Sequence, residues 1–311
     1  MVSIDIVSGF LGAGKTTLIK KLLPCYPDSN TVIIENEFGD IGIDGDIIER
    51  EGYRMVEISS GCICCIMKDD FLLALDNVVK DLRPEHIVIE PTGISILSDI
   101  VKMLKKEPFQ SSCVIHALIT VVDCENFIEQ RELFGEFFKD QISNATHLLL
   151  SKAQNVGASV VEDIVLSVRQ WNDKAPVVAK NWDEMSIEEA LSLVQGDTVL
   201  DYERDMPSPN RRSCREKRFS TFAVELPSSV SRDWLEANLS DMKEGAYGAA
   251  LRGKGFVRCG DEAYAFSFTN NSYRIDPVDY EVSGKLCFIG IDFDEEKLKA
   301  LWTARKTGVS N

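Results

Sequence analysis

Apolar and polar positions alternate along the first two thirds of the chain in a regular way. Short β-branched or leucine-rich runs predict strands at Val2–Val7, Thr31–Ile34, Met55–Ile58, His86–Ile89, Ala117–Val122, His147–Leu150 and Pro176–Ala179. Between them, apolar residues recur at helical spacing. Leu18, Ile19, Leu22 and Leu23 mark a helix that stops at Pro24, and Phe71, Leu72, Leu75, Val78, Val79 and Leu82 mark another that ends before Pro84. Further helices are predicted over Ser95–Lys105, Phe127–Ile142 and Ser159–Trp171, with a polar, glycine-punctuated loop over Ile41–Arg54. Strand and helix in alternation imply a mainly parallel sheet with helices on both faces, and ligands at the carboxyl ends of its strands.

The pattern changes near Asp201. Residues 201–217 are charged, with Pro207, Pro209 and Arg211-Arg212, and read as a linker. Beyond it, strands are predicted at Phe219–Leu226, Gly255–Cys259, Ala263–Thr269, Tyr273–Asp276 and Lys285–Ile291, with helices at Arg232–Met242 and Glu295–Ala304. The expected layout is an α/β domain over residues 1–200, a linker over 201–217, and a small α+β domain over 218–311.

Gly9-Phe10-Leu11-Gly12-Ala13-Gly14-Lys15-Thr16-Thr17 fits the phosphate-binding pattern G-x-x-x-x-G-K-[ST], and it lies between a strand and a helix as that motif requires. Glycines let backbone N–H groups converge on phosphate, and a helix N-terminus adds favourable partial charge. Gly12, Ala13, Gly14, Lys15, Thr16 and Thr17 are therefore the nucleotide-binding candidates, with Lys15 on the β- and γ-phosphates and Thr16 on Mg²⁺. Glu90 ends the strand His86–Ile89, where a carboxylate holds Mg²⁺ through its water. Gly93 follows it and lets backbone approach the γ-phosphate. Asp123 also ends a strand, and its composition fits an ordinary strand-end aspartate as well as a site role.

Cys62-Ile63-Cys64-Cys65 carries the second chemistry. Thiolates are soft ligands suited to zinc and similar ions, and adjacent cysteines make a poor disulfide. Redox use and plain buried thiols are the competing readings. Cys25, Cys113, Cys124, Cys214, Cys259 and Cys287 are scattered and read as small hydrophobes, and His86, His116 and His147 as structural residues bordering apolar runs. Glu35, Glu37 and Asp40 follow the second strand, where a switch segment meets Mg²⁺ and γ-phosphate.

Composition narrows the partners. The 311 residues include 34 Lys+Arg against 50 Asp+Glu, a net charge of −16 that argues against nucleic acid. With 44 % hydrophobic residues a sizeable core is expected, yet no run is long enough to cross a membrane. The N-terminus lacks the basic stretch of a signal peptide, so a cytoplasmic protein with reduced thiols is expected.

These motifs, in this order, resemble the CobW-type metallochaperone GTPases, a phosphate-loop family of the same broad class as the nickel-insertion GTPases of urease and hydrogenase. Gly9–Thr17, Glu35-Asn36-Glu37-Phe38-Gly39-Asp40, Gly61–Cys65 and Glu90-Pro91-Thr92-Gly93 carry the likeness, supported by Lys254–Val257 and Phe288–Asp292 near the C-terminus. The resemblance implies GTP hydrolysis with Mg²⁺, coupled to delivery of a transition metal such as Zn²⁺ or Co²⁺ to a client metalloprotein or a cobalamin-related system. It implies a metal site of Cys62, Cys64 and Cys65 with Glu35 and Asp40, and it admits a nucleotide-dependent homodimer. The family reads guanine with Asn-Lys-x-Asp, whereas this chain has Ser151-Lys152-Ala153-Gln154. Neutral Gln154 is a poorer acceptor for guanine N–H groups, so ATP or mixed use stays open. A histidine-rich metal-storing stretch, frequent in that family, is missing here. A nucleotide-gated metal sensor or enzyme activator with little turnover, and a small-molecule kinase, are the alternative functions.

Overall fold

The computed structural model describes residues 1–26, 30–35, 53–57, 68–195, 219–226, 229–260, 262–269, 272–278 and 284–303. The chain divides into two compact units. In the first, strands β1 (Val2–Gly9), β2 (Thr31–Glu35), β3 (Arg54–Glu57), β4 (His86–Glu90), β5 (Cys113–Asp123), β6 (His147–Ser151) and β7 (Val177–Val178) form one sheet in the order β3-β2-β4-β1-β5-β6-β7. Every pairing in it is parallel. Helices α1 (Lys15–Leu22), α2 (Lys68–Asn77), α3 (Leu97–Leu104), α4 (Phe109–Ser112), α5 (Phe127–Ser143), α6 (Ala158–Arg169) and α7 (Ile187–Gln195) connect and cover the strands.

Alternation along β1 builds both cores. Ile4 and Ile6 face one side and join Phe71, Leu75, Leu97 and Ile100 from α2 and α3. Val7 faces the other and joins Leu18, Ile19 and Leu22 of α1 with Leu193 and Val194 of α7. Burying each such side chain stabilises by about 1.5–3 kcal/mol. The strand β5 breaks this parity once: Ile4 pairs with Ile115 but Asp5 with Ala117, leaving His116 as an extra, bulged residue. Its Nδ1 lies 3.0 Å from Asp5 Oδ1, while the Tyr26 hydroxyl donates to Asp5 Oδ2 at 2.8 Å. His147 shares a hydrogen bond with Thr146 Oγ1, and burial, then the neighbouring His116, holds its pKa below the usual histidine value.

The second unit is an antiparallel sheet of β8 (Phe219–Glu225), β9 (Ala249–Cys259), β10 (Glu262–Thr269), β11 (Ser272–Val278) and β12 (Lys285–Ile291), in the order β11-β10-β9-β12-β8. Helices α8 (Arg232–Lys243) and α9 (Glu295–Thr303) supply Leu235, Leu239 and Trp302 to a core with Phe266, Phe268 and Phe288. The expected two-part architecture, parallel α/β then α+β, is the one observed. Three differences stand out. The strand β5 begins at Cys113 rather than Ala117, β9 begins at Ala249 rather than Gly255, and α7 has no counterpart in the sequence reading. The linker expected over 201–217 lies outside the described residues.

Candidate nucleotide and metal site

The phosphate loop leaves β1 and enters α1 through Gly14, whose φ of 100° is open to glycine and strained for other residues. Among the described residues no side chain caps the start of α1, and its first turn holds no acid. Its leading N–H groups are thus left to an anion. Lys15 is only 3 % exposed, so its ammonium needs partners. It donates to the Phe10 carbonyl at 3.4 Å and stands 3.8 Å from Glu90 Oε1.

Thr16 Oγ1 donates to Glu90 at 3.2 Å from Oε1 and 3.1 Å from Oε2, so a hydroxyl and a carboxylate from distant parts of the chain meet beside Lys15. Both are hard oxygen donors, the type Mg²⁺ takes. The loop after Glu90 is drawn tightly onto the phosphate loop. A Cβ on Gly93 would fall 2.4 Å from the Leu11 nitrogen, so only glycine fits. The Gln141 side-chain amide clamps that loop from α5, donating to the Gly93 and Ser95 carbonyls at 3.1 Å each. Nothing in the local sequence marks Gln141, since the contact spans 48 residues.

Glu35 closes β2 and is register partner of Glu90 on the neighbouring β4, so the two carboxylate-bearing residues stand side by side at the carboxyl edge of the sheet. Glu35 is buried. Asp40, Cys62, Cys64 and Cys65 lie outside the described residues. Among the described residues no group of three or more candidate ligands is placed to hold a metal. The described cysteines Cys25, Cys113, Cys124 and Cys287 are buried, in keeping with their reading as small core residues, and Cys259 is half-buried.

At the other end of the site, β6 delivers Ser151 and Lys152. Ser151 is buried and donates to the Val122 carbonyl at 3.4 Å; Gln154 is exposed on the short turn Ala153–Asn155. The Lys152 ammonium lies 2.7 Å from Asp123 Oδ2 and 3.5 Å from Glu125 Oε2. Asp123 is fully buried and also accepts from Glu125 N and Asn126 Nδ2. It therefore fixes Lys152, a role its strand-end position alone could not distinguish from an ordinary aspartate. Burial, with Asp123 and Glu125 beside it, pushes the Cys124 thiol up to about 11, so it is protonated at neutral pH. Trp182, unmarked by any motif, comes close to the phosphate loop: its ring would lie 3.5 Å from a Cβ on Gly14.

Two family models and several known proteins match this chain. Residues 3–179 match the family model for the CobW/HypB/UreG nucleotide-binding domain, and residues 219–305 match that for the cobalamin synthesis protein CobW C-terminal domain. The zinc chaperone CobW of Sinorhizobium sp is 27 % identical, over 96 % of each chain. The zinc-regulated GTPase metalloprotein activator 1 of Dictyostelium discoideum is 24 % identical, over 81 % of this chain and 62 % of that protein. Among solved structures, Zn(II)-bound YjiA GTPase from E. coli matches over 96 % of this chain and 97 % of that one, with 22 % identity and a TM-score of 0.47. The first family model alone spans more than half of the 311 residues, so this chain is a phosphate-loop GTPase belonging to the CobW/HypB/UreG family.

Proposed function

We propose that this protein hydrolyses GTP to drive delivery of zinc to a client metalloprotein. The side-by-side placement of Glu35 and Glu90 at the ends of β2 and β4 carries the reading, because it sets a candidate zinc ligand against a candidate magnesium residue. Relatives over nearly the whole chain are named zinc chaperones, which supports zinc as the cargo.

In this reading the N–H groups of Gly12, Ala13, Gly14 and Thr17 and the Lys15 ammonium cradle the phosphates. Thr16 and Glu90 hold Mg²⁺, Glu90 through water. Gly93 brings its backbone to the γ-phosphate, and Ser151, Lys152 and Gln154 meet the base. Bound Mg²⁺ supplies charge neutralisation between the phosphates. Lys15 rests on a carbonyl and beside a carboxylate, and in this reading it turns from them to phosphate. Cys62, Cys64 and Cys65 supply thiolates, with Glu35 and Asp40 as oxygen ligands whose position follows the nucleotide. The γ-phosphate engages the segment that follows β2, and hydrolysis releases that segment together with the metal.

The test is zinc affinity in two nucleotide states. Zn²⁺ is titrated against a chromophoric chelator with GDP or a non-hydrolysable GTP analogue bound. A difference of about 5- to 150-fold between states is expected, with the reciprocal effect of zinc on analogue binding. Equal zinc affinity in both states would leave a static structural zinc and defeat delivery.

A further inference from the structure

A concavity of about 630 Å³ opens between the start of α5 and α6, and none of its lining residues belongs to the phosphate loop. Its base includes Phe127, Ile164 and Cys124, all buried. On its two walls stand Ile128 and Val160, which are 61 % and 41 % exposed. Single exposed apolar residues need no explanation, but two that bracket an apolar hollow describe a surface made to be covered.

Charge selects the occupant. Glu125, Glu129, Glu132 and Asp163 line the groove and are exposed, against one cation, Arg131. The Arg131 guanidinium already sits 5.9 Å over the Phe127 ring, where the aromatic face engages it. We propose that this groove docks a segment of a partner protein that carries an apolar anchor flanked by lysine or arginine, and that docking loosens the base-reading loop. The apolar anchor fills the hollow beside Ile128 and Val160, and the flanking cations meet the carboxylates.

The coupling runs through Glu125. One of its oxygens lies 3.5 Å from the Lys152 ammonium, and the other accepts from Asn155 Nδ2 at 2.9 Å. Glu125 thus belongs both to the groove and to the loop that holds Lys152. A partner cation that reaches Glu125 competes with Lys152 for it, and the loop loses one of its two anchors. Linkage then requires that the docked segment and bound nucleotide weaken each other by the same factor. The groove acts in this way whatever metal the protein carries.

The experiment uses the full chain and a fluorescein-labelled amphipathic peptide of leucine and lysine. Anisotropy reads docking, and release of a fluorescent GDP analogue reads the effect on nucleotide. The peptide is expected to bind and to speed release. Ile128→Asp should weaken binding on the order of tenfold although it makes the surface more acidic, and a peptide with serine for leucine should bind as weakly. Ile128 is exposed, so GTP hydrolysis by that variant stays at the wild-type rate and reports an intact fold. Glu125→Gln should still bind the peptide within about threefold, while the peptide no longer speeds release. Undiminished binding to Ile128→Asp would mean diffuse charge attraction and overturn the proposal. So would equal binding of a leucine–glutamate peptide. Concentration-dependent dimerisation abolished by Ile128→Asp would assign the groove to a second copy of the chain and overturn it too.

Discussion

Thr16 and Glu90 are 74 residues apart in sequence, yet the Thr16 hydroxyl reaches both oxygens of the Glu90 carboxylate at 3.2 and 3.1 Å. One residue lies in the first turn of α1 and the other closes β4, so the contact joins the phosphate loop to the strand beside β1. Glu90→Gln keeps the shape and one acceptor for Thr16 but removes the charge. The expected outcome is a loss of phosphate release on the order of 10²–10³-fold at saturating GTP, with nucleotide binding in the absence of Mg²⁺ changed by less than about threefold. A variant that turns over at the wild-type rate across a Mg²⁺ titration removes Glu90 from the magnesium site.

Gly93 shows how closely the two loops are packed. An added Cβ would meet Leu11 N at 2.4 Å and both Leu11 Cα and Phe10 C at 2.8 Å. These are backbone atoms, so no side chain can swing aside. Gly93→Ala must push the phosphate loop away from the strand end. A stability cost of about 1–3 kcal/mol is expected from such overpacking, with near-complete loss of hydrolysis. Gly157→Ala is the contrast: its Cβ would meet only Ser159 Oγ, at 4.0 Å, and urea unfolding should show a cost of no more than about 1 kcal/mol, the preference for glycine over alanine at the N-cap of α6. Equal behaviour of the two variants in urea and in phosphate release would show that the contact at Leu11 is not under constraint.

The elements that form the candidate phosphate site are legible because their signals are local. A β-branched run, a glycine loop and a 3.6-residue period all fall within the first 23 residues, and His86–Ile89 announces Glu90 in the same way. Where the signal was not local, the reading fell short. The start of β5 was missed because the bulge at His116 breaks the alternation that marks a strand. The first residues of β9 were missed because Arg252, Gly253 and Lys254 look like loop, although they pair with both β10 and β12. Buried Ala190, Leu193 and Val194 of α7 share a helical period, but it is too short to mark a helix in the sequence alone. The Gln141 clamp on Gly93 and the Asp123 anchor of Lys152 depend on strand order, which no window of sequence contains.

Asp140 offers a test through pH. It lies buried on α5, accepting from Ser98 N at 3.1 Å and from Asn144 Nδ2 at 3.0 Å. Burial outweighs those bonds and pushes its carboxyl up to about 6. The unfolded chain binds that proton only near the ordinary value of about 3.9. The folded state therefore holds more protons between these two values, and the group's stabilising contribution is full below about pH 4 and lost as pH rises through about 6. The difference is on the order of 3 kcal/mol. Asp140→Asn cannot titrate, so the gap in stability between wild type and variant should move in favour of wild type by that amount on going from pH 7 to pH 4. Urea midpoints at several pH values read it, and a gap that stays constant would mean that the Asp140 carboxyl titrates at its ordinary value.

In the proposed reading, base selection rests on what Lys152 and Gln154 offer together. Lys152 is held in a left-handed backbone conformation, φ 57°, with its ammonium on Asp123 and Glu125. In that reading its stem covers the base, and a base of either kind presents a face to it. Discrimination falls to Gln154, which is exposed at the turn that follows. Guanine presents two N–H donors on one edge, and a carboxylate accepts both with charge assistance. Glutamine offers one carbonyl, and its NH₂ faces a donor it cannot satisfy. Each charge-assisted bond lost costs about 1.5–3 kcal/mol, equivalent to roughly 10- to 150-fold in affinity. GTP should therefore exceed ATP in competition binding by much less in this protein than in its Gln154→Asp variant. That substitution is at an exposed position and leaves the Lys152 anchor in place, so its effect should appear in GTP and GDP affinity and not in ATP affinity. Strong GTP preference in the wild type, unchanged in Gln154→Asp, would move base reading to another part of the loop.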